Sequence, residues 1–86
     1  MVLDEAEKAE VIARAKAIQV IQEVRKVSIK DATEMAINGE CSEIVHEYAY
    51  YSGRIVEHRI LQNTSLIKIS EGLLGEARDR IYSGLC

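Results

Sequence analysis

The chain has no proline, no phenylalanine and no tryptophan, and its only aromatic residues besides histidine are four tyrosines. Proline both removes a backbone donor and clashes with the preceding helical turn, so its absence leaves nothing to bar helix along the chain. Without Phe or Trp, the core has to come from Ile, Val, Leu and Ala, which bury less area per side chain. The two cysteines, Cys41 and Cys86, form no CxxC pair. The acidic start, MVLDEAEKAE, has no basic segment of the kind that opens a secretory signal. No apolar run approaches the roughly 20 residues needed to cross a bilayer. Together these absences predict a cytoplasmic protein with reduced thiols and no membrane partner.

What is present describes one small domain over residues 1–86. Hydrophobic residues make up 48% of the chain, too many for a disordered tail. Abundant Ala, Glu, Ile and Lys favour helix nearly throughout. Three interruptions are readable. Ser28 precedes Asp31 by three residues, a variant of the capping box. Asn38-Gly39 forms a helix stop, because both residues tolerate the left-handed conformation. Asn63-Thr64-Ser65 offers N-cap oxygens before LIKISEGLL. The expected fold is all-α, a compact bundle of about four helices (long, short, long, medium) at about 4–27, 29–37, 40–62 and 65–82.

The first helix is apolar on two sides. Ala6, Ala9, Ala13, Ala17, Val20, Ile21, Val24 and Val27 line one face, and the alanines let another backbone approach closely. A second stripe, Val11, Ala15 and Ile18, runs along the other side at i, i+4, i+7. One short chain has few elements to cover both. That stripe is therefore the expected interface of a homo-oligomer, a dimer in the simplest case, and small scaffolds commonly gain stability this way. In the last helix, Leu66, Ile69, Leu73, Ala77 and Ile81 form the expected inward line, with Ile67 and Leu74 beside it.

A net charge of −3 gives no general attraction to nucleic acid. The charges nevertheless fall in blocks. Arg14, Lys16, Arg25, Lys26 and Lys30 face only Glu23 within residues 14–30, whereas residues 31–47 hold Asp31, Glu34, Glu40, Glu43 and Glu47 with no base. Such blocks either lie side by side, within one chain or between chains, or form two solvated faces that never meet. The basic strip is also the site that a nucleic-acid-binding helical dimer would use.

The stretch ECSEIVHEYAYYSGRIVEH, residues 40–58, concentrates the chemically active side chains. On a helical wheel Ile44, Val45, Tyr48, Ala49, Ser52, Ile55, Val56 and Ile60 make the apolar face, with Ser52 as a notch for a neighbouring helix. His46, Tyr50, Arg54 and His58 step along the opposite face at i+4, and Tyr50 and Arg54 are placed to stack. No Ser, Thr or Cys nucleophile shares that face. It therefore predicts a protein-contact patch, since aromatic and arginine side chains anchor interfaces. Glu43 and His46 stand at the i, i+3 spacing of di-iron bundles, which makes them the metal-binding alternative, but no second Glu-x-x-His exists in the chain. Arg59 lies near the helix end on the apolar side, where it either snorkels or pairs with an acid from another element.

A short helix, Asn38-Gly39 and a helix containing Ala49-Tyr50-Tyr51 give a pattern that resembles HEPN-type helical domains over less than half the chain. The RNase motif of those domains separates its Arg and His more widely than Arg54-Ile-Val-Glu-His58 does, and no family is assigned. The functional expectation is a small non-enzymatic protein without cofactor, a regulator, adaptor or assembly subunit whose partners are itself and another protein.

Overall fold

In the computed structural model, which describes residues 4–86, Asp4 opens the first helix, α1 (Glu5–Arg25), by accepting a hydrogen bond from the Glu7 amide at 2.7 Å. Acidic Glu5 and Glu7 lie in its first turn and Arg25 in its last, the arrangement that the helix dipole favours. Lys26 ends α1 in the left-handed region (φ 53°), returning its amide to the Gln22 carbonyl. Ser28 then caps α2 (Ile29–Ile37), its hydroxyl accepting from the Asp31 amide at 3.1 Å, so residues 4–37 form two helices. α3 (Ser42–Ile60) and α4 (Thr64–Tyr82) follow, with Asn63 accepting from the Leu66 amide to cap α4. The described residues are all-α, with four helices in the expected places, although α4 is as long as α3, 19 residues each, and not the shorter helix expected.

The stop after α2 works for a different reason from the one expected. Neither Asn38 (φ −123°) nor Gly39 is left-handed. Gly39 is needed because a Cβ there would lie 2.8 Å from the Met35 Cα, so the chain turns tightly against the last turn of α2.

α3 is the middle of the fold. α1 packs along one flank and α4 along the other, while α1 and α4 meet each other much less and α2 leans on α1. The result is a flattened body, 40 × 32 × 17 Å. The helix enclosed on two sides is thus α3 and not α1. α1 approaches α3 through its alanine face, with Ala13 and Ala17 buried, and the backbones come together at Gly53. A Cβ on Gly53 would sit 2.8 Å from the Glu10 Cγ and 3.1 Å from the Ala6 carbonyl oxygen. The notch is therefore Gly53 and not Ser52, whose half-buried hydroxyl instead donates to the Tyr48 carbonyl of its own helix at 2.7 Å.

α4 is turned relative to expectation. Ser70, Ala77 and Ile81 are buried, with Ile67 and Leu74 half-buried, whereas Leu66, Ile69 and Leu73 are 40%, 59% and 37% exposed. The inward line in its first half is one residue further round, about 100°. Ile60 is also exposed, at the end of α3.

Cys41 and Cys86 are joined in a disulfide, with 4.8 Å between Cα atoms and 45 residues of sequence separation. This overturns the expectation of reduced thiols. Cys41 is fully buried at the start of α3, so the bond ties the end of the chain to the central helix. No helix among the described residues is long and apolar enough to cross a membrane.

Two measurements test this packing. Gly53→Val should lower stability by about 1–3 kcal/mol through overpacking. Gly72→Ala should raise it by about 0.5–1 kcal/mol, because a Cβ there meets nothing within 4 Å. Opposite shifts of the melting temperature are the expected outcome, and equal losses would mean that α1 and α3 do not approach at Gly53. Separately, Cys86→Ser should cost up to about 4 kcal/mol by releasing the long loop, read as a drop in the urea midpoint.

Candidate functional site

Tyr50 and Arg54 of the row on α3 meet as expected, and His46 joins them. The Arg54 guanidinium lies over the Tyr50 ring at 5.2 Å, a cation–π contact. The rings of His46 and Tyr50 stack with centroids 6.4 Å apart, and Tyr50 meets Tyr51 edge-on at 5.3 Å. Arg54 also pairs with Glu57 one turn further along.

The row does not lie wholly on a wet face. His46 and Tyr50 are exposed, but Arg54 and His58 are half-buried, Arg54 where it walls a hollow beside the start of α1. Arg54 Nε and His58 Nδ1 are buried without a hydrogen-bond partner. A wheel assigns faces from one axis of burial, whereas α3 has neighbours on two sides. The exposed part of the row is consequently smaller than four residues: His46 and Tyr50, backed by Arg54 and edged by Tyr51.

Glu43 and His46 keep their helical spacing, yet among the described residues no three His, Cys, Asp or Glu side chains converge as a metal site requires. A hollow of about 650 Å³ at the start of α1 has Asp4, Glu5, Glu7, Glu10 and Glu57 on its walls beside Lys8 and Arg54.

The basic and acidic blocks do touch within the chain, at one point. Arg25 Nη2 lies 2.6 Å from Glu40 Oε1, linking the end of α1 to the turn before α3. Of the other cations of the strip, Arg14 is half-buried, whereas Lys16, Lys26 and Lys30 are exposed. Arg59 pairs with Glu71 of α4 at 3.6 Å, the second of the two roles expected for it.

Two further surfaces bear exposed apolar side chains. The first is the outer side of α1. Lys8, Val11, Ile12, Ala15, Lys16 and Gln19 follow one another at i, i+3, i+4, i+7, i+8 and i+11, and all six are exposed. Val11 is 55% and Ile12 67% exposed, while Ile18 at the edge is half-buried against the core, so the stripe centres nearer Ile12 than the sequence placed it.

The second is the furrow between α3 and α4. Its floor is Ile44, Tyr51, Leu73 and Ala77, enclosing about 280 Å³, with Glu47, Glu76 and Arg80 at the rim. It continues past Ile44, Glu47 and Arg80 into a hollow of about 140 Å³ walled by Glu40, Glu43 and Cys86. The sequence hid this furrow, because it exists only once α4 is turned to leave Leu73 outward. No protein-family model, curated protein or solved structure matches the chain.

The halves of the α3 row should separate under mutation. Tyr50→Ala should change stability by no more than about 0.5 kcal/mol, as surface substitutions commonly do. Arg54→Ala should cost about 1 kcal/mol or more, since it leaves Glu57 unpaired. Thermal melts compare them, and equal effects would mean that Arg54 is as wet as Tyr50.

Proposed function

We propose that this protein is a non-enzymatic helical subunit that works by binding protein, beginning with further copies of itself. The observation that carries this reading is the distribution of its large apolar side chains. Among the described residues seven are buried (Val20, Ile21, Ile44, Val45, Tyr48, Ile55 and Ile81), whereas thirteen are exposed. Single exposed apolar residues are ordinary on any surface, but contiguous ones mark contact sites. Here they fall in runs: Val11 and Ile12 on α1, Ile60 and Leu61 at the end of α3, and Leu66, Ile69 and Leu73 on α4.

The buried residues support the same reading. Among the described residues, six of the fourteen buried apolar ones are alanine, so the core gains little area per residue and the single chain has a thin margin of stability. Burying the exposed runs between chains would supply what the core lacks. The outer stripe of α1, with Val11, Ala15 and Ile18 at its edge and Ile12 at its centre, is the proposed interface between copies. His46 and Tyr50, with Arg54 behind them, form a separate patch for a different protein, in keeping with a regulator, adaptor or assembly subunit. The Cys41–Cys86 bond fits an oxidising compartment better than the reducing cytoplasm first expected.

Light scattering tests the reading. At micromolar concentration the wild type should have a mass above that of the 9.6 kDa chain, and Ile12→Glu should reduce it to a single chain with its helical circular dichroism intact. A wild type that stays at one chain mass under those conditions would remove the proposal.

A further inference from the structure

We infer that the Cys41–Cys86 bond is a redox latch: a small thiol attacks it at Cys86, and its opening frees the second half of α4 from α3 while the rest of the bundle stays folded. The latch is independent of the self-association proposed above.

Access decides where the attack falls. Cys41 is fully buried, whereas Cys86 is half-buried. Cys86 also walls the hollow of about 140 Å³ at the end of the furrow, among Glu40, Glu43, Ile44, Glu47 and Arg80. A thiolate arriving from solvent therefore meets Cys86 first, and the sulfur that is attacked decides which cysteine leaves. The incoming sulfur bonds to Cys86 Sγ, the bond to Cys41 Sγ breaks, and its electron pair departs on Cys41 as a thiolate. A second thiolate then removes the first from Cys86 as a small disulfide. Both cysteines take up a proton, so two molecules of the small thiol are oxidised to one disulfide as the protein bond is reduced. Arg25 already pairs with Glu40 at 2.6 Å, which leaves Glu43 and Glu47 against Arg80 in the hollow. That balance favours a neutral thiol over an anionic one.

The fold also suits Cys41 as the leaving group. Cys41 is the N-cap residue of α3, and in the bonded state its side chain caps no amide. Once freed, its sulfur lies at a helix start, where the dipole stabilises a thiolate.

The bond holds a local part of the molecule. Beyond α4 the Gly84 amide donates to the Ile81 carbonyl at 3.2 Å and the Leu85 amide to the Arg80 carbonyl at 3.0 Å. These bonds tie residues 83–86 to α4, so the segment moves with that helix. Its links to the other helices are the disulfide to the start of α3 and the approach of Gly84 to Val24, where a Cβ would lie 3.1 Å from the valine Cγ1. Without the disulfide, the second half of α4 rests on Ala77, Ile81 and half-buried Leu74. The close approach of α1 to α3 at Gly53 lies about 18 Å further along α3 than Cys41 and includes no part of the bond. Ile44, Glu47 and Arg80 line both the hollow and the furrow, so an α4 that swings away widens the furrow over its apolar floor.

Two measurements test the latch. In the first, the protein is treated briefly with β-mercaptoethanol, quenched in acid, alkylated under denaturing conditions and mapped by mass spectrometry. The expected product carries the mercaptoethanol on Cys86 and the alkyl group on Cys41. A mixed disulfide mainly on Cys41, or on both cysteines alike, would overturn the site of attack. Alkylation of both thiols before any reductant is added would remove the latch altogether. In the second, hydrogen exchange reads the opening. After full reduction, and equally in Cys86→Ser without reductant, the amides of residues 78–82 should exchange at least about tenfold faster while the middle of α3 keeps its protection. Unchanged exchange in α4 would mean that the bond restrains nothing there, and loss of protection throughout would make it a staple for the whole fold. Either result overturns the latch.

Discussion

At Gly53 α3 meets α1 so closely that a Cβ would press on the Glu10 side chain and the Ala6 carbonyl, and the other packing in the molecule follows from that contact. It draws the alanine face of α1 onto one flank of α3 and turns Val11, Ile12 and Lys16 outward. With that flank taken, α4 has only the opposite one, and it settles there on Ser70, Ala77 and Ile81. Helices placed on either side of a central one make a single layer. A layer with no second layer over it keeps apolar residues in water, since domains ordinarily bury one layer against another.

Local signals were the legible part of the sequence. Ser28, Asn38-Gly39 and Asn63 mark the three breaks, because caps and stops depend on residues within one turn of one another. Sidedness was legible only where a helix has one dominant neighbour, as α1 does along Ala13, Ala17, Val20 and Ile21. α3 has two neighbours. Its periodicity therefore shows a broad apolar sector, but not that Arg54 and His58 are half-buried as well.

Glycine is the hardest residue to read. Gly53 and Gly72 both look like weaknesses in a helix, yet one marks a close approach of α1 to α3 and the other faces open space. A hydropathy pattern gives neither any sign of its role, since the role consists in what lies opposite. The disulfide was hidden for a related reason. Forty-five residues separate its cysteines, and only the packing of α3 and α4 brings them within bonding distance. The furrow depends on a rotation of α4 by about one residue, which the even spread of Leu and Ile around that helix leaves undetermined.

The single-layer arrangement also governs how the molecule opens. Amide hydrogens exchange with solvent when their helix comes away from its neighbours, and the free energy of that opening grows with the surface the helix shares. α3 shares two flanks, so its amides report the unfolding of the whole molecule. α2 is held mainly through Ala32 and Ala36, two small side chains, and the first half of α4 mainly through Ser70 and half-buried Ile67. These edges open at lower cost, on either side of a protected spine. The second half of α4 escapes that fate, because Ile81 is buried and the bonded Cys86 keeps the chain end from drifting away.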